Sequence, residues 1–470
     1  MNEHPALPVR MKGVRGEGAP KGRVVPPDIM KREISKKLKE WADSPSKKPL
    51  VLKGARQVGK TFIISEFGKN NFRKCHTFNF EENREIHKLF DKNLDPKRIL
   101  EELSYVHQTP IDVQNDLVFF DEIQECPKAL TSLKYFCEEM PLLSVISAGS
   151  LLGIKLSEES FPVGKTDFLH LTPMNFREFL VANENHLLVD AYDGATLDKP
   201  VAEMAHEKLW QELLNYYVVG GMPQAVLTYI ANKSDRLKAF DEVRKVQKNL
   251  VDSFSKDFAK HSGKNNSIHI VSVFENIPMQ LSAQIDASTK RYYFGHVIPG
   301  KRSFSQLQGP IEWLNTAGLI IKVPICNRAE IPLKAFCKNN LFKLFLFDIG
   351  LLGAMLNLPV KSILEQDYGI TKGYLAENFV AQEFLAGGMP EIYSWTEQNS
   401  EIEFLIYMDG SIIPVEVKSG LRTRAKSLQQ FFVRYSPHMA IKLSAKPYSK
   451  SDRIINLPLY LAGKLGAYSQ

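Results

Sequence analysis

Between residues 49 and 147 the apolar positions fall into short, nearly unbroken runs. Pro49-Leu50-Val51-Leu52 is one and residues 143–147 another, residues 116–120 form a run of apolar residues after a single Asp, and residues 75–80 are a further strand candidate. A short run with no polar alternation is the signature of a strand buried on both faces. The segments between these runs read as helices, and residues 61–67 open one directly after a glycine-bearing loop. Upstream, Ile29, Ile34, Leu38 and Trp41 recur at helical spacing. Short buried strands alternating with helices predict an α/β unit: a parallel sheet with right-handed crossovers, closing near residue 185.

The pattern then changes twice. Residues 200–260 read as helical, interrupted at Gly220-Gly221-Met222-Pro223. Residues 305–314 form a helical stretch, Thr316-Ala317-Gly318 a turn and residues 319–323 a strand. This order suits a winged helix and equally a generic α+β connecting domain, and the pattern leaves both open. From about residue 340 a helix is expected over 374–385. Strands are expected over 401–407 and 412–418 around Met408-Asp409-Gly410, where Asp-Gly between strands signals a hairpin.

The 470 residues exceed the about 250–300 that one core holds. The expected organisation is a flexible basic tail over 1–27, a P-loop ATPase domain over 28–185, a helical and winged-helix-like region over 186–335, and a C-terminal α/β domain over 336–470. The tail is rich in Gly, Pro and Arg and too poor in large apolar residues to offset its ordering entropy. A net charge of +7 permits nucleic-acid contact without requiring it. The five cysteines, at 75, 126, 137, 326 and 337, show no CxxC spacing, which fits reduced thiols and no zinc. Residues 1–23 hold no apolar run, so no signal peptide is expected there. The apolar stretch 342–360 is broken by Lys343, Asp348, Gly350, Gly353 and Asn357, so no membrane partner is expected, and a cytoplasmic location is.

The sharpest chemistry lies at Gly54-Ala55-Arg56-Gln57-Val58-Gly59-Lys60-Thr61, a complete phosphate-loop pattern between a strand and a helix. Glycines let backbone N–H groups wrap phosphate oxygens, and the helix that follows directs its positive end at the anion. Lys60 would neutralise the β- and γ-phosphates of ATP, and Thr61 would give a hydroxyl to Mg²⁺. About sixty residues later the apolar run Leu117-Val118-Phe119-Phe120 ends in Asp121-Glu122. Asp121 is the expected Mg²⁺ ligand and Glu122 the base that orients and deprotonates water. A third element, Val145-Ile146-Ser147-Ala148-Gly149-Ser150, ends a strand in small polar residues. Ser150 is the candidate hydroxyl for the γ-phosphate or the attacking water, with Ser147 as its alternative.

With these elements the chain resembles a bacterial and archaeal family of AAA+-like ATPases. The resemblance rests on the loop 52–61 and on Phe120-Asp121-Glu122-Ile123-Gln124. It extends to Phe161-Pro162-Val163-Gly164-Lys165, Leu171-Thr172-Pro173-Met174-Asn175-Phe176-Arg177-Glu178-Phe179 and Gly220-Gly221-Met222-Pro223. Phe345-Leu346-Phe347-Asp348-Ile349-Gly350-Leu351 and Gly373-Tyr374-Leu375-Ala376-Glu377-Asn378 complete it. It implies an ATPase core, a winged-helix-like middle and a C-terminal region related to restriction-type nucleases. The family often has Gly-Arg where this chain has Gly164-Lys165. A trans-acting cation would then come poorly from Lys165, which lacks the planar guanidinium fork, and Arg177 is the reserve. Sites of this kind usually lie between subunits, so self-association promoted by ATP is expected, with a homo-oligomer or another protein as partner.

A second constellation falls in the C-terminal region. Glu377 lies on the helix from Tyr374 and Glu403 on the first hairpin strand. Glu416 and Lys418 alternate on Pro414-Val415-Glu416-Val417-Lys418, so both project from one face. A helix Glu, an acidic residue on one strand and Glu-x-Lys on the next look like a restriction-endonuclease core, where carboxylates hold Mg²⁺ and the Lys activates water. Glu403 stands where Asp is more frequent. An amphipathic hairpin with a solvated charged face, or a nuclease-like fold kept for binding, accounts for the same residues. Three functions follow: a nucleotide-driven switch coupled to nucleic acid, an ATP-gated nuclease, and a non-catalytic module that binds DNA or protein under ATP control.

Overall fold

The computed structural model describes residues 31–149, 164–283, 291–369, 371–389, 391–397, 400–408, 410–420 and 426–468. The first sheet is five-stranded and parallel: β1 Leu50–Lys53, β2 Lys74–Asn79, β3 Asp116–Asp121, β4 Ser144–Ala148 and β5 Asp167–His170, in the order β2-β3-β4-β1-β5. All six residues of β3 are buried. Leu117 and Phe119 enter one core, Val118 and Phe120 the other, which is why the run carries no polar alternation. The helices Pro96–Val106 and Pro127–Glu139 cover one face. On the other face the helix Lys60–Asn71 joins a core that continues through the helical middle into the C-terminal region.

The middle is built from Glu203–Val219, Pro223–Asn232, Arg236–Ser262 and Lys264–Ala283. The break between the first two is forced by packing. Gly220 has φ +72°, and a Cβ on Gly221 would sit 2.0 Å from the Met174 carbonyl oxygen. No helix among the described residues is long and apolar enough to cross a membrane.

The second sheet has eight strands: β6 Ile320–Cys326, β7 Cys337–Leu346, β8 Tyr393–Glu397, β9 Ser400–Met408, β10 Ser411–Val417, β11 Ala440–Ser444, β12 Ser449–Ser451 and β13 Ile454–Pro458. Its order is β12-β13-β11-β10-β9-β8-β6-β7, with parallel and antiparallel pairs mixed. The antiparallel pair β6–β7, which follows the helix Phe304–Thr316, joins this sheet because β6 pairs with β8. The sheet therefore runs across positions 335 and 336, where the sequence suggests a boundary. Burying both edges of β6 satisfies backbone groups that a free wing would leave to water.

The helix Thr371–Ala386 is the strut between the two sheets. Every residue from Tyr374 to Phe384 is buried. Its polar side chains are used as bolts: Asn378 brackets the backbone of Leu346, and Gln382 accepts from Ile349 N–H and donates to the Tyr216 hydroxyl. Glu383 accepts from Phe176 N–H. Each satisfies a buried polar group that would otherwise cost about 1–3 kcal/mol.

Candidate nucleotide site and a carboxylate–lysine cluster

The phosphate loop leaves β1 and enters the helix Lys60–Asn71 through backbone that favours glycine. Gly59 has φ +95° and Gly54 φ +155°, and a Cβ on Gly54 would meet the Leu171 carbonyl oxygen at 2.3 Å. Gln57 also takes a positive φ, 65°. Pro223, at the start of the next helix beyond the Gly220–Gly221 break, lies 3.6 Å from where a Gly59 Cβ would stand. The break is held from both sides in the chain: Gly221 N–H donates to Asp348 Oδ2 at 2.6 Å, and Met174 N–H donates to the Gly221 carbonyl.

Lys60 is buried and folds back on its own loop, with Nζ donating to the carbonyls of Gly54 (3.0 Å) and Ala55 (2.8 Å). Burial first of all lowers its pKa to about 8; Glu122 and Asp121 work against that, and the Arg56 charge adds to it. Thr61 Oγ1 donates to Asp121 Oδ2 at 3.0 Å, which joins the loop to the end of β3. Burial, and then the neighbouring Glu122, push the Asp121 carboxyl up to about 6. A hydroxyl and a desolvated carboxylate 3.0 Å apart, with the carboxylate poorly compensated, suit a hard divalent cation. Glu122 sits in left-handed backbone (φ 49°, ψ 43°), and its Oε2 accepts from Gln124 Nε2 at 2.5 Å.

Two members of this site were not picked out from the sequence. Asn79 ends β2 in register with Asp121, and its Nδ2 lies 3.4 Å from Asp121 Oδ2. Its signal is the polar residue closing a strand that is the spatial neighbour of β3, which requires the strand order. Gln124 was visible only as part of a motif string. Ser150 lies outside the described residues. Ser147, its alternative, is withdrawn into the sheet, where its Oγ donates to the Leu50 carbonyl at 3.3 Å. Lys165 ion-pairs with Glu138 at 2.9 Å. Arg177 forks onto both oxygens of Asp193 and reaches Glu33 at 3.3 Å.

The second constellation is brought together in part. The β9–β10 ladder pairs Val415 with Phe404. Beyond it the Glu403 side chain takes the place of a backbone acceptor, receiving Val417 N–H on Oε2 at 3.2 Å. Lys418, one residue past β10, places Nζ 2.5 Å from Glu416 Oε1 and 3.8 Å from Glu403 Oε1. Glu416 Oε2 is buried without a hydrogen-bond partner. Glu377 instead ion-pairs with Lys343 of β7 at 3.2 Å, and Lys343 also reaches Glu401. Lys343, which the sequence shows only as a break in an apolar stretch, competes for the helix carboxylate. Among the described residues no group of three or more His, Cys, Asp or Glu side chains is arranged to hold a metal.

Residues 46–180 match the family model "AAA domain", residues 211–362 the model "Domain of unknown function (DUF8612)" and residues 372–461 "Domain of unknown function (DUF4143)". No curated protein matches the chain. Similar solved structures include the Walker-type ATPase of Pyrococcus abyssi, at 16% identity over 70% of this chain and 96% of that one, with a TM-score of 0.45. RuvB of Thermotoga maritima aligns at 18% identity over 62% and 89%, with a TM-score of 0.28. DnaA from Aquifex aeolicus aligns at 12% over 60% and 86%, again with a TM-score of 0.28. The phosphate loop on a parallel sheet, matched by that family model over residues 46–180, makes this part of the chain an ATP-binding, AAA+-like P-loop domain followed by two regions of unassigned function.

Proposed function

We propose that the protein hydrolyses ATP and uses the cycle as a conformational switch coupled to nucleic acid. The observation that carries this reading is the Thr61–Asp121 hydrogen bond of 3.0 Å, with Glu122 next in the chain. A bound Mg²⁺ would be held by Thr61 and Asp121 and would supply charge neutralisation at the phosphates. Lys60 exchanges its two loop carbonyls for phosphate oxygens. Glu122, steadied by Gln124, orients a water and takes its proton. The strut helix and Asp348 give the loop a mechanical path to the second sheet, because both the Gly220–Pro223 break and Phe176 are fastened to them. The β6–β7 pair is built into the C-terminal sheet and is not a free wing, so the coupling to nucleic acid is supported by the net charge of +7 and not by a winged helix.

A second reading, an ATP-gated nuclease related to restriction enzymes, is favoured by one observation: Glu403, Glu416 and Lys418 meet at one strand end, with Glu416 Oε2 unpartnered. One experiment separates the readings. ATP turnover is measured with and without DNA, beside plasmid cleavage in Mg²⁺ or Mn²⁺. The switch predicts turnover that DNA alters and plasmid that stays intact. The nuclease predicts metal-dependent cleavage that disappears in Lys418→Ala while turnover persists. A protein that binds ATP and never turns it over is the non-catalytic module, and both readings fall.

A further inference from the structure

The two residues that the sequence reserves for a trans-acting cation are engaged elsewhere, Lys165 with Glu138 and Arg177 with Asp193 and Glu33. A guanidinium is nevertheless already at the nucleotide site. Arg56 stands within the phosphate loop, between Gly54 and Gly59. One of its terminal nitrogens ion-pairs with Asp257 on the helix Arg236–Ser262, and the other lies 3.9 Å from Glu81 Oε2. Glu81 follows β2 two residues after Asn79, and its N–H donates to Asn79 Oδ1 at 2.9 Å. Asn79 in turn contacts Asp121. Glu81 is thus stationed at the sheet end that bears Asp121 and Glu122, and Arg56 reaches Glu81 from the loop. The Arg56 charge is also felt at Lys60. The helix Arg236–Ser262 is fastened across the loop by Gln57 to Ser253 (3.4 Å) and Lys260 to Glu81 (2.5 Å). Arg56 itself stays 30% exposed, so the guanidinium is oriented but not enclosed.

We propose that Arg56 is a catalytic residue acting in cis: its guanidinium binds γ-phosphate oxygens as they gain charge, and Asp257 is the positioning residue that aims it. The inference rests on the hydrolytic reading above and adds to it the source of the transition-state cation. In the step, the water oxygen forms a bond to the γ-phosphorus while the bond from that phosphorus to the β–γ bridging oxygen breaks. The electron pair leaves with ADP, and the water's proton goes to Glu122. Arg56 forms no covalent bond. Its planar fork offers two parallel N–H groups to two equatorial oxygens, which an ammonium does not. Placement on the loop makes a neighbour's cation unnecessary for turnover.

The test compares wild type, Arg56→Ala, Arg56→Lys and Asp257→Asn for binding of a fluorescent ADP, trapping of the ADP–aluminium fluoride complex, and kcat. We expect both Arg56 variants to bind ADP within about threefold of wild type, which also shows that they fold. We expect them to lose aluminium fluoride trapping and to fall by about 10³–10⁵ in kcat, the usual worth of a transition-state guanidinium. Asp257→Asn should fall less, in kcat and not in KM. Wild-type trapping and kcat in Arg56→Ala overturn the assignment. Loss of ADP binding in both variants overturns it as well, because Arg56 would then serve the ground state. A wild-type protein that binds ADP but neither traps aluminium fluoride nor turns over ATP overturns the hydrolytic reading itself, and with it the role of Arg56.

Discussion

The two lysine–carboxylate sites use the same side-chain types in opposite ways. At the phosphate loop the lysine hydrogen-bonds to carbonyls and not to the acids: Lys60 donates to Gly54 and Ala55, while Asp121 accepts from the Thr61 hydroxyl, Asn79 and the Glu122 N–H, and burial pushes its carboxyl up to about 6. At the end of β10 the lysine is spent on the acids, with Lys418 lying against Glu416 and near Glu403. The first arrangement keeps the lysine off the acids. The second already holds its lysine, although Glu416 Oε2 stays without a hydrogen-bond partner. Uncompensated charge at the edge of a sheet is expensive to maintain, whereas carboxylates that share a lysine are partly neutralised without any ligand.

Removing one group from each site tests this contrast. The largest effect is expected from Glu122→Gln, which should keep ATP bound and slow hydrolysis by about two to four orders of magnitude, the usual worth of a positioned base. Single-turnover phosphate release checks it, and wild-type rates would place the base elsewhere. Lys60→Ala should weaken ATP binding by about 10²-fold as the phosphates lose a charge-assisted donor, measured by displacement of a fluorescent nucleotide. An unchanged dissociation constant would remove the nucleotide site from this loop.

Lys418→Ala should act on the fold and leave ATP affinity alone. It leaves Glu403 and Glu416 side by side without their cation, costing about 1–3 kcal/mol after allowance for the partial exposure of Lys418. Thermal melting reads it. A variant as stable as wild type would mean that Lys418 does not hold the two carboxylates in solution.

The smallest effect concerns the strut. Glu383 is buried, its Oε2 has no hydrogen-bond partner, and burial pushes its carboxyl up to about 8. The folded pKa lies above the unfolded value, so the native state holds more protons between about pH 4 and 8, and stability falls as pH rises through that window. Glu383→Gln keeps an acceptor for Phe176 N–H and removes the titration. Its melting temperature should vary less between pH 5 and 8, ending about 2–4 °C above wild type at pH 8. Parallel pH profiles for the two proteins would show that Glu383 stays ionised.

The sequence by itself determined the phosphate loop, the Asp121-Glu122 pair and the buried strands β1, β3 and β4, because each depends on neighbours within a few residues; β5, half exposed, carries no such run and was not read from the sequence. A tight loop needs Gly59, a strand covered on both faces needs an unbroken apolar run, and a strand end delivers whatever residue follows it. The break at Gly220–Gly221 was equally legible, though not its reason, the close approach of Met174. Tertiary structure decided what depends on distant segments. The capture of Glu377 by Lys343, the fastening of Gly221 by Asp348 and the hold of Asp257 on Arg56 all join residues far apart in the chain. So does the pairing of β6 with β8, which draws the hairpin after Thr316 into the C-terminal sheet. Local patterns fix which face of an element is apolar and which residue ends it. Which charge finds which partner is set by the order in which strands lie side by side, and that order is chosen by the packing of whole faces, to which no short stretch of sequence has access.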